Sequence, residues 1–140
     1  LVLPSPNGAT LSLSTGPRPT LAGCLRNATA VALAATQIGT RITVIPAGER
    51  WPDGSQRPAI EDWIGTGAII AGLPGSRSPE AHLAEQAFQQ TRHELPEVLL
   101  KCASGQELVN KGFPDDVLTA AAWNVSSTVP RLQNESYQES

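Results

Sequence analysis

The chain of 140 residues is long enough for one compact domain, read here as a single domain over 1–140, and leaves little room for two. Hydrophobic residues make up 40% and charged ones 16%, enough to fill a core and too little charge for a disordered chain. Ten Lys and Arg against thirteen Asp and Glu give a formal charge of -3, which supplies no basic field for nucleic acid; the greasiest stretch, Thr66 to Leu73, is broken by Gly67 and Gly72 and falls short of a membrane span.

The opening Leu1-Val2-Leu3 reads as the end of a strand that began earlier, and the chain contains no Met, so a segment upstream is expected. Pro4-Ser5-Pro6-Asn7-Gly8 is a turn cluster. A second β-rich run near Thr20–Cys24 leads into a helix expected from Asn27 to Ile38, with Asn27 as its N-cap and Gly39 closing it. Arg41-Ile42-Thr43-Val44-Ile45 is the clearest strand, stopped by Pro46. A polar loop from Ala47 to Gln56 precedes a helix expected from Pro58 to Ile70, with Ile60, Trp63, Ile64 and Gly67 on one face.

Pro74 to Pro79 reads as a linker, and Ser78-Pro79-Glu80 as a helix start. Helical pieces follow near Leu95–Leu100, Ser104–Asn110 and Asp115–Trp123, with a last strand near Ser127–Val129 and a polar, frayed tail from Gln133 to Ser140. Alternation of strands and helices over the first half predicts an α/β fold, a sheet of short, largely parallel strands flanked by helices.

Three polar clusters each follow a predicted strand, and in open parallel sheets the carboxyl ends of strands line the ligand crevice. Ser5, Asn7 and Gly8, then Gly23, Cys24, Arg26 and Asn27, then Gly48, Glu49, Arg50, Asp53 and Gly54 are therefore candidates for one site. The competing reading is that they are turns and caps. Glu49, Asp53, Glu61 and Asp62 beside Arg50 and Arg57 suit a magnesium-assisted phosphoryl site, because Mg²⁺ takes a few carboxylate oxygens and Arg clamps phosphate. Glu61 and Asp62 also fit a plain helix N-terminus. Cys24 is a candidate nucleophile, though a buried, inert Cys is the commoner case. His82 and His93 read as solvated. Two cysteines are too few for a disulfide framework and no signal sequence opens the chain, so a cytoplasmic, reduced setting is expected.

Ser5-Pro6-Asn7-Gly8, Ala22-Gly23-Cys24-Leu25-Arg26-Asn27-Ala28, Ile45-Pro46-Ala47-Gly48-Glu49-Arg50-Trp51, Asp53-Gly54-Ser55 and Arg57-Pro58-Ala59-Ile60-Glu61-Asp62 together resemble the 2-phosphosulfolactate phosphatases. The resemblance continues through Ser104-Gly105-Gln106-Glu107-Leu108 and Gly112-Phe113-Pro114-Asp115-Asp116-Val117 to Ser127-Thr128-Val129-Pro130. It implies a layered α/β fold of the family's own type and Mg²⁺-dependent hydrolysis of 2-phospho-3-sulfolactate to sulfolactate and phosphate, on the route to coenzyme M. It also implies an N-terminal active-site stretch that nothing here matches, so the chain reads as a fragment.

On this reading Glu49, Asp53, Glu61 and, less favoured, Cys24 are catalytic. Ser5, Asn7, Gly8, Arg26, Arg50 and Arg57 bind substrate anions, and Glu61 and Asp62 hold the metal. The partner is a small phosphate ester, with self-association into a homo-oligomer left open. The rivals are a hydrolase of another 2-hydroxy acid phosphate and an inactive binding or dimerisation module.

Overall fold

The computed structural model describes residues 6–139, so the Leu1–Leu3 run and Ser5 lie outside the described residues. The first element is a helix, α1 (Pro6–Ser14), where a turn around Asn7-Gly8 was expected. Proline fits the first helical position because its missing N–H would have no partner there. The weak periodicity of Ala9 to Leu13 hides this helix from pattern reading.

A single 3₁₀ turn, Leu25–Asn27, leads into α2 (Ala28–Ile38). Gly39 ends that helix with its N–H on the Ala35 carbonyl at 3.2 Å. The expected strand at 41–45 makes no ladder among the described residues, although its burial alternates residue by residue, with Ile42 and Val44 half-buried between exposed Arg41, Thr43 and Ile45. The expected loop at 47–56 instead contains a short ribbon, β1 (Glu49–Arg50) paired antiparallel with β2 (Gln56–Arg57). Its turn is set by Gly54 at φ 84° and by Asp53 Oδ1, which accepts the Ser55 N–H at 2.9 Å.

The central helix α3 (Ile60–Ala71) starts two residues later than expected and is buried continuously from Ile64 to Ile70. After it, the segment expected as a linker is held in place by Arg77. Its Nη2 donates to the carbonyls of Ile70 and Leu73 at 3.0 and 2.7 Å, while its Nε pairs with Glu85 at 3.1 Å. Arg77 thereby adds a donor to the Ile70 carbonyl in the last turn of α3, which also accepts the Leu73 N–H at 3.0 Å. The next helix, α4 (Pro79–Thr91), begins as the sequence predicts, with Ser78 Oγ accepting the Ala81 N–H at 3.3 Å. Three short helices follow close to their expected places, α5 (Leu95–Lys101), α6 (Ala103–Asn110) and α7 (Pro114–Ala121).

The chain then returns as β3 (Pro130–Gln133), slightly later than the strand expected at Ser127–Val129. The tail is ordered into β4 (Ser136–Glu139), which pairs antiparallel with β3 across Asn134 and Glu135, both at positive φ. Positive φ at both central residues is the geometry of the two-residue hairpin turns that match strand twist. This corrects the expectation of a frayed end. β3 also bridges the Thr20–Cys24 run. The Ala22 N–H donates to Pro130 O and the Leu132 N–H to Thr20 O, both at 2.9 Å, with Leu21 antiparallel to Arg131.

The architecture is therefore mixed α/β, but the parallel sheet is not what the described residues form. Both ladders are antiparallel, because each joins neighbours in sequence through a tight turn. The core lies between helices: Leu25, Val31 and Ala32 pack with Ile64, Ala68 and Ile69 of α3, Phe88 of α4, Leu95 and Leu99 of α5, and Val117 and Ala121 of α7. Phe88 meets Trp123 edge-on, with ring centroids 5.2 Å apart. Among the described residues no helix is long and apolar enough to cross a membrane.

Candidate active site

The ribbon β1–β2 sits directly before α3 and brings three separate stretches to the N-terminal end of that helix. Asn7, in the first turn of α1, donates through Nδ2 to the Gly48 carbonyl at 3.1 Å and to Glu49 Oε2 at 3.2 Å. The Gly48 N–H in turn donates to Asp62 Oδ2 at 2.7 Å. Asp62 lies in the first turn of α3, where the helix dipole favours a carboxylate. Burial nevertheless pushes its pKa above the ordinary aspartate value, the Gly48 hydrogen bond opposes this, and the nearby charges of Glu61 and Glu49 add to the rise. Of the predicted residues, Asn7, Glu49 and Asp62 are thus joined in one hydrogen-bonded group with Gly8 adjoining, and Glu61 acts on it through charge.

Glu61 itself leans the other way, toward the junction of α5 and α6. The Cys102 Sγ approaches Glu61 Oε2 at 3.8 Å and also donates to the Leu99 carbonyl at 3.1 Å. Burial, with Glu61 adding to it, raises the Cys102 thiol above its usual value and so favours its protonated form. The sequence gives no sign of this pairing, since 41 residues separate the two.

The arginines serve different ends. Glu49 and Arg57 stand opposite each other in the ribbon, so their side chains share one face while Arg50 and Gln56 take the other. Arg57 is the buried one, its side chain 8% exposed. It pairs with Glu107, donates from Nη2 to Ser104 Oγ at 3.0 Å, and lies 5.5 Å from the centroid of the Trp51 ring. Its Nε is buried without a hydrogen-bond partner. Arg50 is exposed, and its Nη1 donates to the Gly54 carbonyl of its own turn at 3.0 Å.

Asp53 is exposed at the ribbon tip, where its hydrogen bonds from Ser55 hold its pKa below the ordinary value. Its observed contacts are those of a turn residue. Ser5, the remaining predicted anion ligand, lies outside the described residues.

The cluster at Cys24, Arg26 and Asn27 makes its contacts elsewhere. Arg26 Nη1 donates to the Thr119 carbonyl at 2.6 Å, and exposed Cys24 is a free thiol. Asn27 was expected to cap α2, yet its side chain turns back: Oδ1 accepts the Cys24 N–H at 2.8 Å, and Nδ2 donates to the Thr128 carbonyl at 2.9 Å. At 7% exposure it is a buried hub that joins the start of α2 to the return segment before β3. Asn27→Ala strands these groups in the interior and is expected to cost about 2–3 kcal/mol, read as a lower urea midpoint with an unchanged slope.

Among the described residues no three His, Cys, Asp or Glu side chains gather around a point that would hold a metal ion. The nearest approach is Asp62, with Glu49 and Glu61 acting on it. Their carboxylates are hard oxygen donors, the kind of ligand Mg²⁺ takes, commonly one or two of them completed by water and substrate phosphate.

A family model described as 2-phosphosulpholactate phosphatase matches residues 1–135 of the chain. Among curated proteins, the 2-phosphosulfolactate phosphatase of Methanothermobacter thermautotrophicus is 33% identical over 130 residues, which cover 93% of this chain and 54% of that protein. A probable 2-phosphosulfolactate phosphatase of Carboxydothermus hydrogenoformans is 33% identical over 135 residues, with the same 93% and 54% shares. Another, from Gloeobacter violaceus, is 33% identical over 73 residues. The chain spans about half the length of the first two relatives.

Proposed function

The chain belongs to the 2-phosphosulfolactate phosphatase family, and on that premise we propose that it carries part of the active site of a Mg²⁺-dependent phosphatase acting on 2-phospho-3-sulfolactate, in the route to coenzyme M. The observation that carries this reading is the group Asn7–Gly48–Glu49–Asp62 at the head of α3.

In this scheme Asp62 and Glu61, with Glu49 beside them, would hold Mg²⁺, which would supply positive charge to phosphate oxygens when bound. Glu49 receives the proton of the attacking water at Oε2, the atom that Asn7 Nδ2 orients, and returns it to the sulfolactate oxygen as the ester P–O bond breaks. Asp62 keeps Gly48, and with it the start of the ribbon, fixed against α3. Arg50 is the exposed guanidinium that turns toward a substrate anion, while Arg57 and Arg26 brace the scaffold through Glu107 and Thr119. Cys24 is the alternative nucleophile, and Asp53 shapes the loop that carries Arg50. The layered fold with largely parallel strands belongs to the same proposal, its sheet needing strands beyond the two ribbons.

The test is phosphate release from 2-phospho-3-sulfolactate by this chain with Mg²⁺ and with EDTA, beside the whole Methanothermobacter enzyme. Release that EDTA abolishes is the expected result. Turnover of other 2-hydroxy acid phosphates with none of the sulfonate would move the substrate assignment. A second reading, a folded module without turnover of its own, is favoured by the chain's covering only about half the length of its relatives. It predicts no release by this chain under either condition.

A further inference from the structure

Residues 41–46 lie between α2 and the ribbon and show the burial pattern of a strand: Ile42 and Val44 turn inward, with Val44 packed against the core, while Arg41, Thr43 and Ile45 are exposed. Yet no backbone N–H or C=O from 41 to 47 has a protein hydrogen-bond partner among the described residues. Backbone groups of a half-buried segment are nearly always paired, and a row of unpaired ones is a template for another strand. Natural edges meant to stay open carry central charges, bulges or prolines. Here the only charge, Arg41, and the only proline, Pro46, stand at the two ends, and the middle offers Ile42, Thr43, Val44 and Ile45. Ile45 is 58% exposed, and the helix leading into this segment exposes Leu33 at 60% and Ile38 at 42%. These three apolar side chains have no cover.

We infer that residues 41–46 form a strand of a larger sheet, and that the strand pairing with them comes from the part of the family's polypeptide that lies outside the matched region. The matched residues make up only 54% of the Methanothermobacter relative, which leaves ample chain to supply a strand. Main-chain hydrogen bonds would give this pairing its affinity, and pockets for alternate side chains its register. The inference stands on backbone pairing and chain length, independently of the phosphatase chemistry.

Hydrogen exchange followed by mass spectrometry on two intact proteins tests it, this chain and the whole Methanothermobacter enzyme. In this chain, the peptide covering 41–47 should exchange at close to the unprotected rate while the core of α3 is protected. In the longer enzyme the aligned peptide should exchange at least tenfold more slowly. Equal, fast exchange in both would overturn the inference, as would protection in this chain that is independent of concentration, because its own residues would then cover the edge. Protection that grows with the concentration of this chain would assign the edge to a second copy and overturn it as well.

Discussion

Asp62→Asn is expected to lower phosphate release at least hundredfold while leaving the chain folded, and in metal-free buffer at neutral pH to raise its thermal midpoint slightly. The loss follows from removing one of the few negative oxygens at the head of α3, a change of the size seen when a single electrostatic group leaves an active site. The gain in stability has the opposite sign for a physical reason. Burial and the charges of Glu61 and Glu49 lift the Asp62 pKa in the folded protein above the ordinary aspartate value of 3.8, so the ionised form is a cost of folding. That cost is absent below 3.8, grows as pH rises through the window up to the raised folded value, and stays constant above it. Asn removes the charge and keeps an oxygen able to accept the Gly48 N–H. The stabilisation by Asp62→Asn should therefore be present at pH 7 and vanish near pH 3, in differential scanning calorimetry at both. A uniform effect at the two pH values would show that the charge of Asp62 is not what the fold resists.

The second large effect is structural and comes as a contrasting pair on α3. Gly67→Ala is expected to destabilise the chain by at least about 3 kcal/mol, the upper part of the range for overpacking, lowering the midpoint by roughly 10 °C. A Cβ at Gly67 would overlap the Ala84 carbonyl oxygen, lie 2.7 Å from the carbonyl carbon and come 2.9 Å from Phe88 Cβ. The obstacle is the α4 backbone, which cannot rotate aside as a side chain can, so α3 and α4 must separate across the core. Gly65→Ala, two positions earlier, should do the reverse. There the nearest atom to a Cβ is the Leu25 backbone nitrogen at 3.9 Å, an ordinary contact, and alanine in a helix interior is worth about 0.5–1 kcal/mol over glycine. Urea denaturation of both variants checks the pair. Equal destabilisation by both would mean that α3 tolerates no added atom anywhere, and that close approach to α4 is not the special feature of Gly67.

What the sequence disclosed and what it concealed divides by range. Ser78-Pro79-Glu80 and Gly39 were legible because a cap, an N1 proline and a closing glycine act within one helical turn. Asp53-Gly54 was legible as a turn signal, and its weight as a catalytic candidate came from proximity in sequence to Glu49, whereas in the fold it faces solvent at the ribbon tip. The end of the chain was misread because Asn134-Glu135 is not among the common hairpin dipeptides, although both residues adopt positive φ. Asn27 was legible as a cap and as part of a polar cluster, and its use as a buried hub depends on the return of Thr128, 101 residues away.

The candidate site was legible in part for the same reason. The clusters placed after expected strands do include Asn7, Gly48 and Glu49, which the fold brings into contact with one another and with Asp62 of the acidic pair, although the run at 41–45 makes no ladder among the described residues. The partners of Arg57, Ser104 and Glu107, lie 47 and 50 residues away and leave no local trace. No periodicity shows that an arginine so rich in possible partners will be used as a brace. Nor could pattern show that the Arg41–Ile45 run, the strongest strand signal in the chain, would lack a ladder among the described residues; its propensity is local, while a sheet needs neighbours.

The return of the last segment onto the beginning sets a schedule for biosynthesis. The Asn27 side chain waits for the Thr128 carbonyl, 101 residues further along, and Leu21 waits for Arg131. At about 5–20 residues added per second, a ribosome needs roughly 5–20 s to make that stretch, far longer than the microseconds a helix takes to form. The helices from α3 onward have nearby partners to pack against as they appear, but the start of α2 has its final buried acceptor only after all of those helices have been made. Until then a nascent chain presents Asn27 and the Thr20–Ala22 edge unpaired, so association with chaperones during translation should concentrate there and end when β3 is made.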